Sequence, residues 1–245
     1  EVPDGVPVVV ILKMGRRGFG RQAEALDSRA GGTLARACEA PGFSGKSGEC
    51  LDVLAPGGLA ARRVVVLGLG DAEAMTPLSL TRAGAELAAF LERKGEDAAA
   101  VVLDAIEGAA VAGAELAGRL ALGMRLRRYR FDLRNKRPGA AAEAGWTIHL
   151  VGPRDRDADA HLARMNGVAD GVEFARTLVN LPSNILHPDS FVDHLEPLRE
   201  AGIEIETLDA AEMKRLGMNA LLAVGSASQH PPRIIVLRYN GKKGA

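Results

Sequence analysis

Short β-branched runs alternate along this chain with alanine-rich stretches of helical periodicity, and that rhythm constrains the fold more than any other feature. The runs at 7–13, 63–69 and 99–104 are nearly continuous in apolar residues, which marks strands covered on both faces. Such a sheet needs helices packed above and below it, so the pattern predicts an α/β fold with largely parallel strands. Residues 50–55 and 146–151 are two further candidate strands. Between the strands, 77–94 and 108–127 carry apolar residues at helical spacing. The first of these helices is opened by Thr76 as a cap and Pro77 in the first turn, and closed by Gly95.

The pattern changes near residue 158. Leu162, Met165, Ala169, Val172 and Val179 recur every three or four positions and describe one long amphipathic helix. Gly167 and Gly171 lie one turn apart on it and predict close approach to another backbone. The helix runs into Asn180-Leu181-Pro182-Ser183-Asn184, after which Pro188 opens a new unit. That unit reads as a helix over 188–201, a strand over 203–208, a short helix over 210–216, and strands over 220–224 and 233–239. The resulting division is a first domain over 1–157, a linking helix over 158–181 and a second domain over 182–245. The second is small for an α/β domain that must bury both faces of a sheet, so an incomplete domain is expected.

Composition excludes several function classes. Lysine plus arginine balance aspartate plus glutamate at 31 each, so the whole molecule has no general attraction for nucleic acid or anionic lipid. No apolar run approaches the roughly 20 residues that cross a bilayer. The start, Glu1-Val2-Pro3-Asp4, lacks the basic-then-apolar pattern of a signal segment. Cys38 and Cys50 have neither disulfide-scaffold nor metal-knuckle spacing, which predicts reduced thiols in a cytosolic setting.

Several local motifs fail on inspection. The segment from Ala40 to Ser47 approaches a phosphate-binding loop, but Ala40 stands where the first glycine belongs, and a plain turn is the better reading. Gly68-Leu69-Gly70 follows a strand, yet Glu73 replaces the third glycine of a dinucleotide fingerprint. His187, Asp189, Asp193 and His194 offer zinc- or manganese-type donors, although acidic preference in a first helical turn explains Asp189 equally well. Arg125, Arg127, Arg128, Arg130, Arg134, Lys136 and Arg137 form the one dense basic run. It reads as a helix C-terminus followed by a solvated loop, with phosphate contact as the alternative. No Gly-x-Ser-x-Gly elbow is present.

Three stretches of the second half nevertheless form a specific pattern: ARTLVNLPSNILHP over 175–188, LGMNALLAVGSAS over 216–228 and PPRIIVLRY over 231–239. Together they resemble the leucyl aminopeptidase family. In the first half GKSGE over 45–49, APGGL over 55–59, VVVLGLG over 64–70 and YRFD over 129–132 resemble the same family. The resemblance implies a macro-like N-terminal domain with a mixed, mostly parallel sheet, a linking helix and the start of an α/β peptidase domain. It also implies a cytoplasmic homo-hexamer acting on peptide N-termini with two divalent metal ions, manganese or zinc. The family's metal and catalytic residues match no position here. No catalytic, cofactor-binding or metal residue is therefore expected on this chain, and the chain alone is expected to be inactive. DNA binding or binding of a nucleotide such as ADP-ribose by a macro-like module is the alternative role.

Overall fold

The computed structural model describes residues 2–15, 17–104, 113–133, 146–152 and 156–241. The chain divides into two compact units, Glu1–Ala175 and Arg176–Ala245. The first unit holds β1 (Val8–Lys13), α1 (Arg21–Arg29), α2 (Thr33–Glu39), β2 (Cys50–Leu54), β3 (Arg63–Gly68), α3 (Pro77–Arg93), β4 (Ala98–Val102), α4 (Gly113–Arg128) and β5 (Thr147–Val151). The long helix α5 (Arg156–Asn180) follows, and the division between the units falls within it.

The strands lie in the order β2-β3-β1-β4-β5. β1 pairs parallel with β3 and β4, and β4 pairs parallel with β5. β2 runs antiparallel along β3, so the sheet is mixed and mostly parallel. Chain length explains the exception: residues 55–62 link β2 to β3, fewer than the dozen or so that a parallel crossover requires.

Alternation along the central strands sends side chains to two cores. Val8, Val10, Leu12, Val65, Leu67 and Val101 pack with Leu87 and Leu91 of α3 and Leu120 and Met124 of α4. Val9, Ile11, Val64, Val66 and Val102 face the other way, onto Ala23 of α1 and Leu34 of α2. Burying each such aliphatic side chain stabilises the fold by about 1.5–3 kcal/mol. α3 and α4 touch almost backbone to backbone: a Cβ on Gly123 would lie 1.8 Å from the Thr81 carbonyl oxygen, and one on Gly84 would lie 2.2 Å from that of Leu120. Thr76 caps α3 as the sequence predicts, in a reciprocal box with Ser79.

The expected helix over 108–127 is present as α4, its first five predicted residues lying outside the described ones. α5 buries Met165 and Ala169, but Val179 is 85% exposed. The close approach expected at Gly167 and Gly171 is not found. Nothing lies within 4 Å of a Cβ built at either, because both face away from the buried side of the helix.

The second unit contains α6 (Pro188–Leu195), β6 (Ile203–Leu208), α7 (Ala210–Arg215), α8 (Asn219–Gly225) and β7 (Ile234–Tyr239), with β6 and β7 paired antiparallel. Two expectations need correction. The helix predicted over 188–201 is α-helical only to Leu195 and continues as a 3-10 turn over Glu196–Arg199, since Pro197 has no N–H for the next helical bond. The strand predicted over 220–224 is α8. Alanine and leucine are strong helix formers, and a short apolar run does not declare its period by itself.

Candidate functional site

Open α/β sheets bind ligands beyond the carboxyl ends of their strands, where the strand order reverses. Here that point lies between β1 and β4, and a cleft of about 920 Å³ opens there beside Phe19, Gly20, Gln22, Asp104 and Gly152. The N-terminus of α1 would be its anion-binding element. Asp104 already occupies it: the amides of Gln22 and Ala23 donate to its two carboxylate oxygens at 2.8 and 3.0 Å. A Cβ on Gly20 would lie 2.4 Å from that of Asp104, so the glycine is what lets the carboxylate seat itself. A phosphate would meet a fixed negative charge and amides already bonded. This counts against the nucleotide-binding alternative.

The loop from Ala40 to Ser47 is closed in the same way. One carboxylate oxygen of Glu49 accepts from the Ser44 amide at 2.9 Å, the Ser44 hydroxyl at 2.9 Å and the Lys46 amide at 3.1 Å. Burial pushes the Glu49 carboxyl up, and the bonds from Ser44, Lys46 and Gly45 more than offset it, so its pKa falls below the ordinary value. The turn reading is the one the geometry supports.

The basic run is neutralised from within. Arg125 donates to Asp170 and Glu173, each at 2.8 Å. Arg130 and Arg127 approach Glu92 at 2.5 and 3.9 Å, and the Arg130 hydrogen bond holds the Glu92 carboxyl below its usual range. Arg128 lies 4.8 Å over the Trp146 ring. Arg134, Lys136 and Arg137 lie outside the described residues. The described part of the run ties α3, α4 and α5 together and leaves little charge for a phosphate backbone.

Burial raises the Cys38 thiol to about 11 and the Cys50 thiol to about 12, so both stay protonated at neutral pH and neither is a poised nucleophile.

In the second unit the four residues singled out from sequence separate. His187 and Asp189 come together, Asp193 and His194 do not join them, and His230 takes their place, with donor atoms of the three within 4.8 Å of one another. His187 caps α6, and its ring stacks on that of His230 with centroids 3.8 Å apart and planes 11° apart. Arg233 donates to one oxygen of Asp189 at 2.5 Å. His230 could not be found from local spacing, because it arrives from the loop before β7. A two-ion centre of carboxylates and lysine does not fit this trio, which has one carboxylate and no lysine.

Fold and sites thus define a two-unit α/β protein whose anion sockets in the first unit are filled by its own carboxylates. Residues 10–137 match the profile of the cytosol aminopeptidase family, N-terminal domain, and residues 173–245 match that of the family's catalytic domain. The chain belongs to the cytosol aminopeptidase family. A probable cytosol aminopeptidase of Agrobacterium fabrum is 39% identical over 222 residues, covering 89% of this chain and 44% of that protein. One of Xanthobacter autotrophicus is 36% identical over 236 residues, covering 96% of this chain and 47% of the relative. The chain therefore spans about half the length of these curated relatives. Among solved structures, a mutant of tomato leucine aminopeptidase matches with TM-score 0.76 and 26% identity, over 97% of this chain and 49% of that one. The bottromycin maturation enzyme BotP, in complex with Mn, matches with TM-score 0.70 and 25% identity, over 96% and 46%. No helix among the described residues is long and apolar enough to cross a membrane.

Proposed function

We propose that this chain forms the N-terminal domain and the opening of the catalytic domain of a two-metal aminopeptidase that removes residues from peptide N-termini. The observation that carries this reading is the order of matches, N-terminal domain then catalytic domain, within one chain that covers about half of its relatives. In this reading residues 1–157 are a macro-like domain, 158–181 a linking helix, and 182–245 the first elements of the peptidase domain. The chain contributes scaffold and assembly surface within a cytoplasmic homo-hexamer. The two divalent ions, manganese or zinc, are held by residues outside this chain; when bound, they activate a water for attack on the first peptide carbonyl. Manganese is favoured by the presence of Mn in the BotP structure.

The alternative of a DNA- or nucleotide-binding module is weaker. Asp104 and Glu49 fill the two anion sockets, and Glu92, Asp170 and Glu173 pair with the basic run. The test is hydrolysis of leucine p-nitroanilide by the purified 245-residue chain with manganese present. No turnover above the metal-only blank is expected, and manganese-dependent turnover would contradict the assignment of chemistry to residues outside the chain.

A further inference from the structure

His187, Asp189 and His230 form a donor set that the aminopeptidase reading does not use. We propose that they bind a single divalent transition ion of the zinc class, as a clamp between the entry to α6 and the entry to β7. This departs from the sequence-based expectation of no metal on the chain, and it does not rest on the aminopeptidase reading.

The chemistry of the donors sets the class of ion. Two imidazoles and one carboxylate suit zinc, cobalt or nickel, whereas calcium and magnesium prefer all-oxygen cages. Three protein ligands leave a fourth position for water. All three residues are partly exposed, so an ion can reach them from solvent.

The surrounding bonds organise the site in advance. The His187 amide donates to the Ser190 hydroxyl oxygen at 2.9 Å, and that hydroxyl donates to the Ile185 carbonyl at 2.6 Å. Pro188 stiffens the step between His187 and Asp189. On the opposite segment, the His230 amide donates to the Ser228 hydroxyl at 3.1 Å. Arg233, three residues further on, bonds Oδ1 of Asp189, which is how an outer partner orients a metal-binding carboxylate. The two segments already meet through this ion pair and the ring stack, so an ion need not gather a long loop from disorder.

Two features limit affinity. Imidazole nitrogens around one zinc lie roughly 3.3 Å apart, given metal–nitrogen distances of about 2.0–2.1 Å, so donors up to 4.8 Å apart must close and the stacked rings must tilt. The Arg233 cation also opposes a second positive charge nearby. Ligation through Nδ1 of His187 would displace only a weak bond: the Ser190 amide lies 3.5 Å from that nitrogen, at the outer limit of hydrogen bonding. Binding is therefore expected to be weaker than at a zinc site whose ligands are already at coordination distance.

Calorimetric titration of the 245-residue chain with zinc, followed by cobalt substitution and visible spectroscopy, tests this site. One zinc per chain is expected, with cobalt bands of a four- or five-coordinate centre. His230→Ala and Asp189→Asn should each weaken binding at least tenfold, while His194→Ala should leave it unchanged. Zinc should raise the melting temperature of the wild type and not that of His230→Ala. Circular dichroism confirms that each variant is folded, and the milder Asp189→Asn keeps the test open if His230→Ala is not. Absence of saturable binding to the wild type, or binding by both ligand variants as tight as that of the wild type, would overturn the proposal without touching the family assignment.

Discussion

The two units solve the burial problem to different degrees. In the first, the central strands β1 and β3 are closed on both faces, and Val8, Val10, Ile11 and Val64 to Leu67 have no exposed surface at all. In the second, the buried hydrophobic residues among those described are Leu195, Ile205 and Met213, while Leu237 and Tyr239 of β7 are 47% and 67% exposed and Val224 of α8 is 86% exposed. A two-stranded sheet is marginal in water unless something covers its apolar face. The first unit therefore finishes its own core, and the second has strands and caps but little core beneath them. Helices α6 and α7 each keep a reciprocal capping box, so local order there is written in the sequence even where tertiary burial is thin.

Matched substitutions sharpen this contrast. Leu91→Ala removes a side chain with no exposure from the α3 face of the sheet and is expected to cost about 4 kcal/mol in urea unfolding. The same deletion at Leu237, on the thinly covered strand, should cost less than about 1 kcal/mol. Equal losses at the two positions would erase the distinction.

An electrostatic version comes next in size. Glu96 is buried in the first unit, where Arg62 and Arg63 reach its two oxygens at 2.5 and 3.0 Å and Arg63 also pairs with Asp52. Glu96→Ala strands the largely buried Arg63 with one carboxylate partner and should cost about 3 kcal/mol. Breaking the Arg238–Glu206 pair, where both partners are about half exposed, should cost under about 1 kcal/mol.

The smallest effect concerns pH. Glu49 has a depressed pKa in the folded chain, so its contribution is present above the unfolded carboxyl value of 4.5 and is lost as pH falls through the lower folded value. Glu49→Gln should flatten that part of the acid-stability curve and leave stability at pH 7 only slightly reduced. An unchanged acid limb would show that the Ser44 and Lys46 bonds are not what lowers the carboxyl.

What was legible in the sequence was what local chemistry writes. The β-branched runs and the Thr76-Pro77 opening gave the sheet and α3, because strand patterning and capping act within a few residues. The apolar run over 220–224 misled, because four or five residues fit either period. Asp104 reaches α1 across 82 positions and His230 reaches His187 from beyond α6, β6, α7 and α8, so neither contact leaves a local signature. The family resemblance, by contrast, was legible from three motifs of the second half, the part with the least core to recognise.

Native-state hydrogen exchange tests the contrast between the units most directly. Amides of β1, β3 and β4 should exchange only through global unfolding, while those of β6 and β7 should exchange orders of magnitude faster through local opening. Equal protection of the two sheets would contradict the account, since it would mean that the thin core around Leu195, Ile205 and Met213 protects its strands as well as the core of the first unit does.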